Sequence, residues 1–310
     1  MILPQRILVT GGAGFIGSHT IPALLDQNHQ VVVLDNLSSG KLDNLPLRHP
    51  NLELIEGDVL EYPLVQDLLS GCDAVLHLAA ISSVPQTIAN PIYSFQVNTQ
   101  GLLHVLEAVR QLNRSIRVVY ASSAAVYGNV QELPCSDTKS LIELPLSPYA
   151  LQKKHDEDYA ALYANLHQVK SLGLRYFNVY GERQDPNSPY SGVISRFLDA
   201  YRQNKTLTIF GDGLQSRDFI HVSDIARANC LALTNDYVGV LNIATGQAST
   251  LLDMVQYIER AGGRKAEVTF EAPRAGDIRA SYAAINMAKT HLGFESNVSL
   301  EQGMARLVAL

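Results

Sequence analysis

The sequence has 310 residues, of which 17% are charged and 46% hydrophobic, with a formal net charge of −6. This is ordinary globular composition, sized for a large α/β domain with a smaller appendage, and it carries no disorder signature. The acidic balance argues against a nucleic-acid or anionic-membrane surface while leaving room for a local basic phosphate pocket, and no apolar run is long enough to span a bilayer.

The first half alternates short β-branched runs with amphipathic stretches. RILVT (6–10) reads as a strand, and a glycine-rich turn follows it directly. Gly11, Gly14 and Gly17 have the GxxGxxG spacing that permits a tight turn, close approach of backbone to a pyrophosphate and close helix–strand packing. The helix expected over 14–27 contains Pro22, which cannot donate to the carbonyl of Ser18, so a kink or local distortion is expected there. QVVVLD (30–35) ends on Asp35, whose carboxylate can accept hydrogen bonds from both ribose hydroxyls of NAD. It would also repel the extra phosphate of NADP: two unit charges about 4 Å apart interact by roughly 4 kcal/mol at an effective dielectric of about 20.

LELIEGD (52–58) is the third strand, closed by Asp58-Val59 at the expected adenine edge. A helix over 63–70, the strand AVLHLAA (74–80) and a long helical pattern over 91–113 follow, then the strand RVVYASS (117–123). Ser123 at its end could hydrogen-bond a reacting hydroxyl. Another helix is expected over 148–167, after Ser-Pro, with Tyr149 and Lys153 at i and i+4 on one face. A neighbouring ammonium and a positive nicotinamide both favour phenolate, the form a general base needs. KSLGLRYFN (170–178) is the sixth strand. All six runs are nearly continuous in apolar residues, as in strands buried on both faces. The expected fold is therefore α/β, a doubly wound parallel sheet.

The regular alternation fades after about residue 178, with loops near Pro186–Pro189 and 211–213 and short helices near 193–203 and 223–234. We divide the chain into an NAD-binding domain (1–177) and a smaller α/β substrate domain (178–310), with segments around 211–245 returning to the first. Cys72, Cys135 and Cys230 are widely spaced without a CxxC pair, which argues against a zinc site or disulfide framework. No metal is expected. The thiols fit a reducing, cytoplasmic setting, and the early glycine motif leaves no room for a signal peptide.

Over essentially its whole length the sequence resembles the extended short-chain dehydrogenase/reductases, and within them the UDP-sugar 4-epimerases. The resemblance rests on TGGAGFIG (10–17), HLAA (77–80), SSAAVYG (122–128), YALQK (149–153), RYFNVYG (175–181) and GDGLQSRDFIHVSDIARA (211–228). It implies catalytic roles for Ser123, Tyr149 and Lys153. It implies NAD contacts from the glycine turn with Phe15 and Ile16, from Asp35, Asn36, Asp58 and Val59, and from Leu78, Ala79 and Ala80. Tyr149 and Lys153 also belong to that set, with Asn98 near the cofactor and Phe177 beside the nicotinamide.

For a UDP-sugar substrate the resemblance implies Asn178, Arg217 and Arg274 near the diphosphate, Asp277 at a ribose hydroxyl, and Val193 and Ile194 at the uracil. Ser83 and Gln86 would face the sugar. Ser281 falls where relatives restricted to non-acetylated hexoses tend to carry Tyr, and its small side chain leaves room for a 2-acetamido group. Related dehydratases carry an Asp-Glu pair after the catalytic hydroxyl, and decarboxylases a Glu at the second of these positions. Here Ala124 and Ala125 stand there, and neither can move a proton. The reading is a 4-epimerase acting on UDP-N-acetylhexosamine or UDP-hexose, expected as a homodimer through the helices 91–113 and 148–167. Another NAD-dependent sugar-nucleotide enzyme, such as a uronic acid 4-epimerase or a dehydratase, is the second reading. A non-catalytic dinucleotide-binding regulator is the third, since fold alone does not exclude it.

Overall fold

The computed structural model describes residues 5–129, 132–139, 141, 144–184, 192–273 and 278–310. The first half builds β1 (Arg6–Thr10), α1 (Phe15–Leu25), β2 (Gln30–Asp35), β3 (Leu52–Glu56), α2 (Tyr62–Ser70) and β4 (Ala74–His77). Next come α3 (Val84–Ala89), α4 (Pro91–Phe95), α5 (Gly101–Leu112), β5 (Arg117–Ser123), α6 (Pro148–His167) and β6 (Ser171–Tyr176). The second half builds β7 (Asn178–Tyr180), α7 (Val193–Arg202), β8 (Leu207–Phe210), β9 (Ser216–Arg217), β10 (Phe219–His221) and α8 (Val222–Leu233). It ends with β11 (Gly239–Ile243), β12 (Ser249–Thr250), α9 (Leu251–Gly262), β13 (Val268–Glu271), β14 (Ala280–Ser281), α10 (Asn286–Leu292) and α11 (Leu300–Val308).

Seven strands form one parallel sheet in the order β11-β6-β5-β4-β1-β2-β3. Side-chain alternation sends Ile7, Val9, Val33, Leu76 and Leu174 to one face, against Ile21 and Leu24 of α1 and Ile225 and Ala228 of α8. Leu8, Val32, Val75, Val118 and Tyr120 point to the other, against α2, α5 and α6. Each such aliphatic side chain contributes about 1.5–3 kcal/mol by leaving water. A third core, around Phe197, Ile209, Met254, Ile258 and Met304, joins α7, α9 and α11 to the small β8–β13 sheet. From residues 211–245, β11 pairs with β6 and α8 packs on α1, so both serve the main sheet.

Several local expectations are corrected. The third strand is not buried on both faces: β3 is the sheet edge, paired only with β2, and its Glu53 and Glu56 are exposed. The strand AVLHLAA ends at His77, and Leu78, Ala79 and Ala80 leave it as a loop. The helix 91–113 is interrupted by a π turn at Gln96–Gln100, where Asn98 turns inward to bond other segments. KSLGLRYFN divides at Phe177; Asn178–Tyr180 leaves the main sheet and pairs with β10. Helix α1 runs unbroken through Pro22. The Ser18 carbonyl, deprived of its helical donor, accepts instead from Nη1 of Arg183 at 2.7 Å. The loop at Pro186–Pro189, together with Arg274 and Asp277, lies outside the described residues.

Candidate active site

Every strand-end residue named from the sequence lies at the carboxyl edge of the sheet, where doubly wound folds bind ligands. Gly11 follows β1 with φ +68°, and a β-carbon there would sit 2.7 Å from the Ala79 nitrogen. The turn after β1 thus presses on the loop after β4, at the point where the strand order reverses. Gly17 permits an equally close contact, since a β-carbon would lie 2.5 Å from the Gly12 carbonyl oxygen. Helix α1 starts beyond Gly14 with no side-chain cap, which leaves the amides of its first turn, including those of Phe15 and Ile16, available to an anion.

Asp35 is buried, and its carboxylate accepts from the Ala13 amide at 2.9 Å and the Leu37 amide at 2.8 Å. Two of its roughly four lone-pair sites remain for ligand hydroxyls. Asn36 donates to Asp58 at 2.8 Å, and Asp58 also accepts from the Leu60 amide. Val59 is buried beneath Gly101. The cradle therefore fits an adenine dinucleotide: an anion-ready helix start, an acid for ribose hydroxyls and an apolar edge beyond it.

Opposite this cradle, Ser147 caps α6 by accepting from the Ala150 amide, with Pro148 in the first turn. Tyr149 is thereby placed at the helix start, half-buried, while Lys153 is 2% exposed. Lys153 Nζ bonds Asp156 at 3.0 Å. Burial pulls the Lys153 ammonium toward neutrality, but the charge of Asp156, with Tyr149 and Glu157, more than restores it and leaves its pKa above the ordinary lysine value. Burial pushes the Asp156 carboxyl up to about 6 against the pull of Lys153. His77 is held neutral, its pKa pushed down to about 3 by burial and then by Lys153, and its Nδ1 shares a hydrogen bond with the Thr10 hydroxyl.

Ser123 ends β5, and its Oγ accepts from the Ala125 amide at 3.2 Å. A buried network locks α6 to this strand. Arg175 donates two bonds to Glu157, at 2.8 and 2.7 Å, and Ser122 donates a third at 2.5 Å. Arg175 also donates to Tyr127, which donates to Asn242 of β11. Removing one partner of such a buried pair costs about 3–5 kcal/mol, so the spacing of Ser123 and Tyr149 rests on rigid support. Asn98 is fully buried; it bonds both backbone groups of Ile81 and donates to Gln152 at 2.7 Å, which clips the 78–83 loop onto α6.

The expected sugar-side residues come from separate segments. Asn178 lies on β7, Arg217 on β9 and Ser281 on β14, where Ser281 is the register partner of Arg217. Arg217 donates to the carbonyls of Ser216 and Ile278. Phe177 is buried against Tyr127, Cys135 and Ala283. Ser83 caps α3 by accepting from the Gln86 amide at 3.2 Å. Val193 starts α7 and is partly buried, whereas Ile194 is a buried core residue. The three cysteines are buried and unpaired, and no metal-holding cluster occurs among the described residues.

Sequence reasoning missed Asp218. It is fully buried, and its carboxylate accepts from the amide and hydroxyl of Thr245 and the amides of Gly246 and Ala283. Its backbone bonds Asn178 and Ser281. The backbone of this residue thus joins the strands of Asn178 and Ser281, while its side chain ties them to the 245–246 turn and to Ala283. The only signal in the sequence is its place between Arg217 and Phe219 in SRDF, beside an arginine that draws attention first.

A parallel doubly wound sheet, a glycine turn after its first strand, an acid ending its second and a Tyr-Lys helix after its fifth define the short-chain dehydrogenase/reductase class. Residues 7–244 match the model of the NAD dependent epimerase/dehydratase family. The chain belongs to that family, and its cofactor is NAD. It is similar to a UDP-glucose 4-epimerase of Mycolicibacterium smegmatis, at 35% identity over 98% of this chain and 97% of that protein. Among solved structures it is similar to a UDP-N-acetylglucosamine 4-epimerase from Methanobrevibacter ruminantium in complex with UDP-N-acetylmuramic acid. That match has a TM-score of 0.94 and 38% identity, covering 99% of this chain and 98% of the other. It is also similar to a Bacillus cereus UDP-glucuronic acid 4-epimerase in complex with UDP-glucuronic acid and NAD, with a TM-score of 0.88, 30% identity and 98% of both chains covered.

Proposed function

We propose that the protein interconverts UDP-N-acetylglucosamine and UDP-N-acetylgalactosamine through a transient 4-keto sugar, and that it also accepts UDP-glucose and UDP-galactose. The observation that carries the reaction type is the turn after Ser123, where Ala124 and Ala125 offer no acid or base beyond Tyr149. Bound NAD would supply the acceptor and donor of the C4 hydride. Tyr149 takes the proton of the 4-hydroxyl and returns it, Ser123 orients that oxygen, and Lys153 holds positive charge beside the phenol. With no acid or base at positions 124 and 125, elimination lacks its proton-transfer groups, and the course left is for the keto sugar to turn over and be reduced on its other face. Such chemistry needs a nucleotide held firmly and a hexose held loosely. Arg217, Asn178, Arg274 and Asp277 are our candidates for holding the UDP, with Val193 and Ile194 toward the uracil and Ser83 toward the sugar.

Ser281, beside Arg217, carries the preference for the acetamido sugar. Substitution by Tyr is expected to cut activity on the acetylated substrate by about 10–200-fold relative to UDP-glucose, the range for a steric change worth about 1–3 kcal/mol. The similarity to the Bacillus cereus enzyme favours a second reading, a uronic acid 4-epimerase. The test is incubation of purified protein, without added NAD, with UDP-N-acetylglucosamine, UDP-glucose and UDP-glucuronic acid in turn, with NMR of the products. Turnover of the glucuronate alone would replace the first reading by the second. If nothing turns over even with NAD supplied, the 4-epimerase reading fails.

We also propose a homodimer. Leu102, Leu106 and Val109 of α5 are core residues. The neighbouring surface nevertheless exposes Ile88, Ile92, Tyr93 and Phe95, and α6 exposes Leu151, Leu162 and Leu166. An apolar surface spread over the helices expected to dimerise fits a second copy better than water.

A further inference from the structure

Tyr149, Lys153 and Asp156 stand at i, i+4 and i+7 of α6, spacings that fall on one helix face. Asp156 is 1% exposed, and while Oδ2 takes the Lys153 ammonium at 3.0 Å, Oδ1 has no hydrogen-bond partner among the described residues. A buried, half-satisfied carboxylate is costly and calls for a reason. The neighbouring acid adds a smaller attraction but makes no bond to the lysine, because Glu157 is taken up by Arg175 and Ser122.

We propose that Asp156 is a positioning residue, whose carboxylate fixes Lys153 Nζ and keeps that buried amine charged, so that Tyr149 always works beside an ammonium. This rests on the reading of Tyr149 and Lys153 as the reacting pair. Lys153 faces Asp156, Tyr149 and Glu157 of its own helix and His77 of β4. Asp156 faces Lys153, Glu157 and Thr99, and its charge also reaches Tyr120 of β5. Glu157 is balanced by Arg175, His77 is neutral, and burial holds the Tyr120 phenol protonated. Asp156 is therefore the largest of the charges that offset the desolvation of the lysine and the one that bonds its Nζ, and without it burial draws the ammonium toward the amine.

The test follows Lys153 directly, by NMR of 13Cε-lysine-labelled protein, with the signal assigned by its loss in Lys153→Arg. In Asp156→Asn the Lys153 titration midpoint is expected to fall by at least one pH unit, a tenfold loss of proton affinity. The alkaline limb of kcat should move down with it, and Asp156→Ser should do the same. Should neither variant fold, the wild-type Lys153 signal must still show a small acid-range step above the ordinary carboxylate range, since burial pushes the Asp156 carboxyl up. Unmoved Lys153 midpoints in the variants, a uniform fall in kcat at every pH, or no acid-range step in the wild type would each overturn the proposal. Failure of the underlying reading looks different: Tyr149→Phe would retain activity while the Lys153 titration behaved as described.

Discussion

Asp218→Asn tests whether one buried carboxylate assembles the sugar side of the site. Oδ1 accepts from the Thr245 amide at 2.8 Å and its hydroxyl at 2.6 Å, and Oδ2 from the Gly246 amide at 2.8 Å and the Ala283 amide at 3.3 Å. An amide of the same shape keeps one oxygen, so one pair of donors then faces an NH2 group. Each lost bond to a charged acceptor is worth about 1.5–3 kcal/mol. Part of that is returned, because burial makes the charge itself costly and holds the Asp218 carboxyl above its ordinary range. A net loss of about 3 kcal/mol is expected. With an unfolding entropy of roughly 2.1 cal/mol/K per residue, this chain loses about 5 °C in Tm. Calorimetry gives the Tm, and steady-state kinetics should show KM for the nucleotide sugar rising about tenfold with kcat nearly kept, a loss of about 1.4 kcal/mol in binding. That split follows because the Asp218 carboxylate holds the 245–246 turn and Ala283, two residues from Ser281, but not the Ser123–Tyr149–Lys153 set. A Tm within about 1 °C of wild type, or a fallen kcat at unchanged KM, would refute the reasoning.

Arg183→Ala should destabilise the protein by about 1–3 kcal/mol by orphaning the Ser18 carbonyl. In a Pro22→Ala background the restored helical amide should shrink that loss, so a double-mutant cycle by urea unfolding is expected to give a coupling above about 0.5 kcal/mol. Glu107 is held down to about 2, first by its hydrogen bonds from Arg110 and then by those from Gln111 and Tyr163. A depressed carboxyl stabilises the fold above its unfolded pKa of about 4.5, and this contribution is lost as pH falls from there toward about 2. The group is partly exposed, so the effect is below about 1 kcal/mol, and Glu107→Gln should flatten the stability–pH curve in that window alone. Ile92→Glu with Leu166→Glu should halve the mass in sedimentation, while single-turnover chemistry persists; an unchanged mass would remove the dimer proposal.

The placement of the candidate cofactor residues at strand ends was legible because those parts are contiguous. Gly11 to Gly17, Asp35 and the loop after His77 each lie within a few residues of a strand end, and the strand places them without further help. The Tyr149–Lys153 pair was legible for the same reason, a single helix start behind Ser-Pro. The edge position of β3 was not, since the alternation that marks an edge is blurred by Leu54-Ile55. The π turn was hidden because Asn98 looks like an ordinary polar position of a helix until its partners, Ile81 and Gln152, are known. Arg183 could not be linked to Pro22 at all, because the two are joined only by folding.

The sugar half follows a different rule of construction. β7, β9 and β14 are two or three residues long, too short to be fixed by their own ladders. Short strands of this kind gain from an external clamp, and Asp218 supplies one: its backbone bonds Asn178 and Ser281, and its carboxylate holds Thr245, Gly246 and Ala283. The consequence is an uneven stiffness across the cleft. The dinucleotide side is held by a seven-stranded sheet with cores on both faces, whereas the opposite side has its own smaller core and strands only two or three residues long that lean on Asp218. For the proposed reaction, which keeps a nucleotide and lets a hexose turn, that asymmetry puts the stiffer half at the proposed hydride-transfer side and the shorter strands at the proposed sugar side.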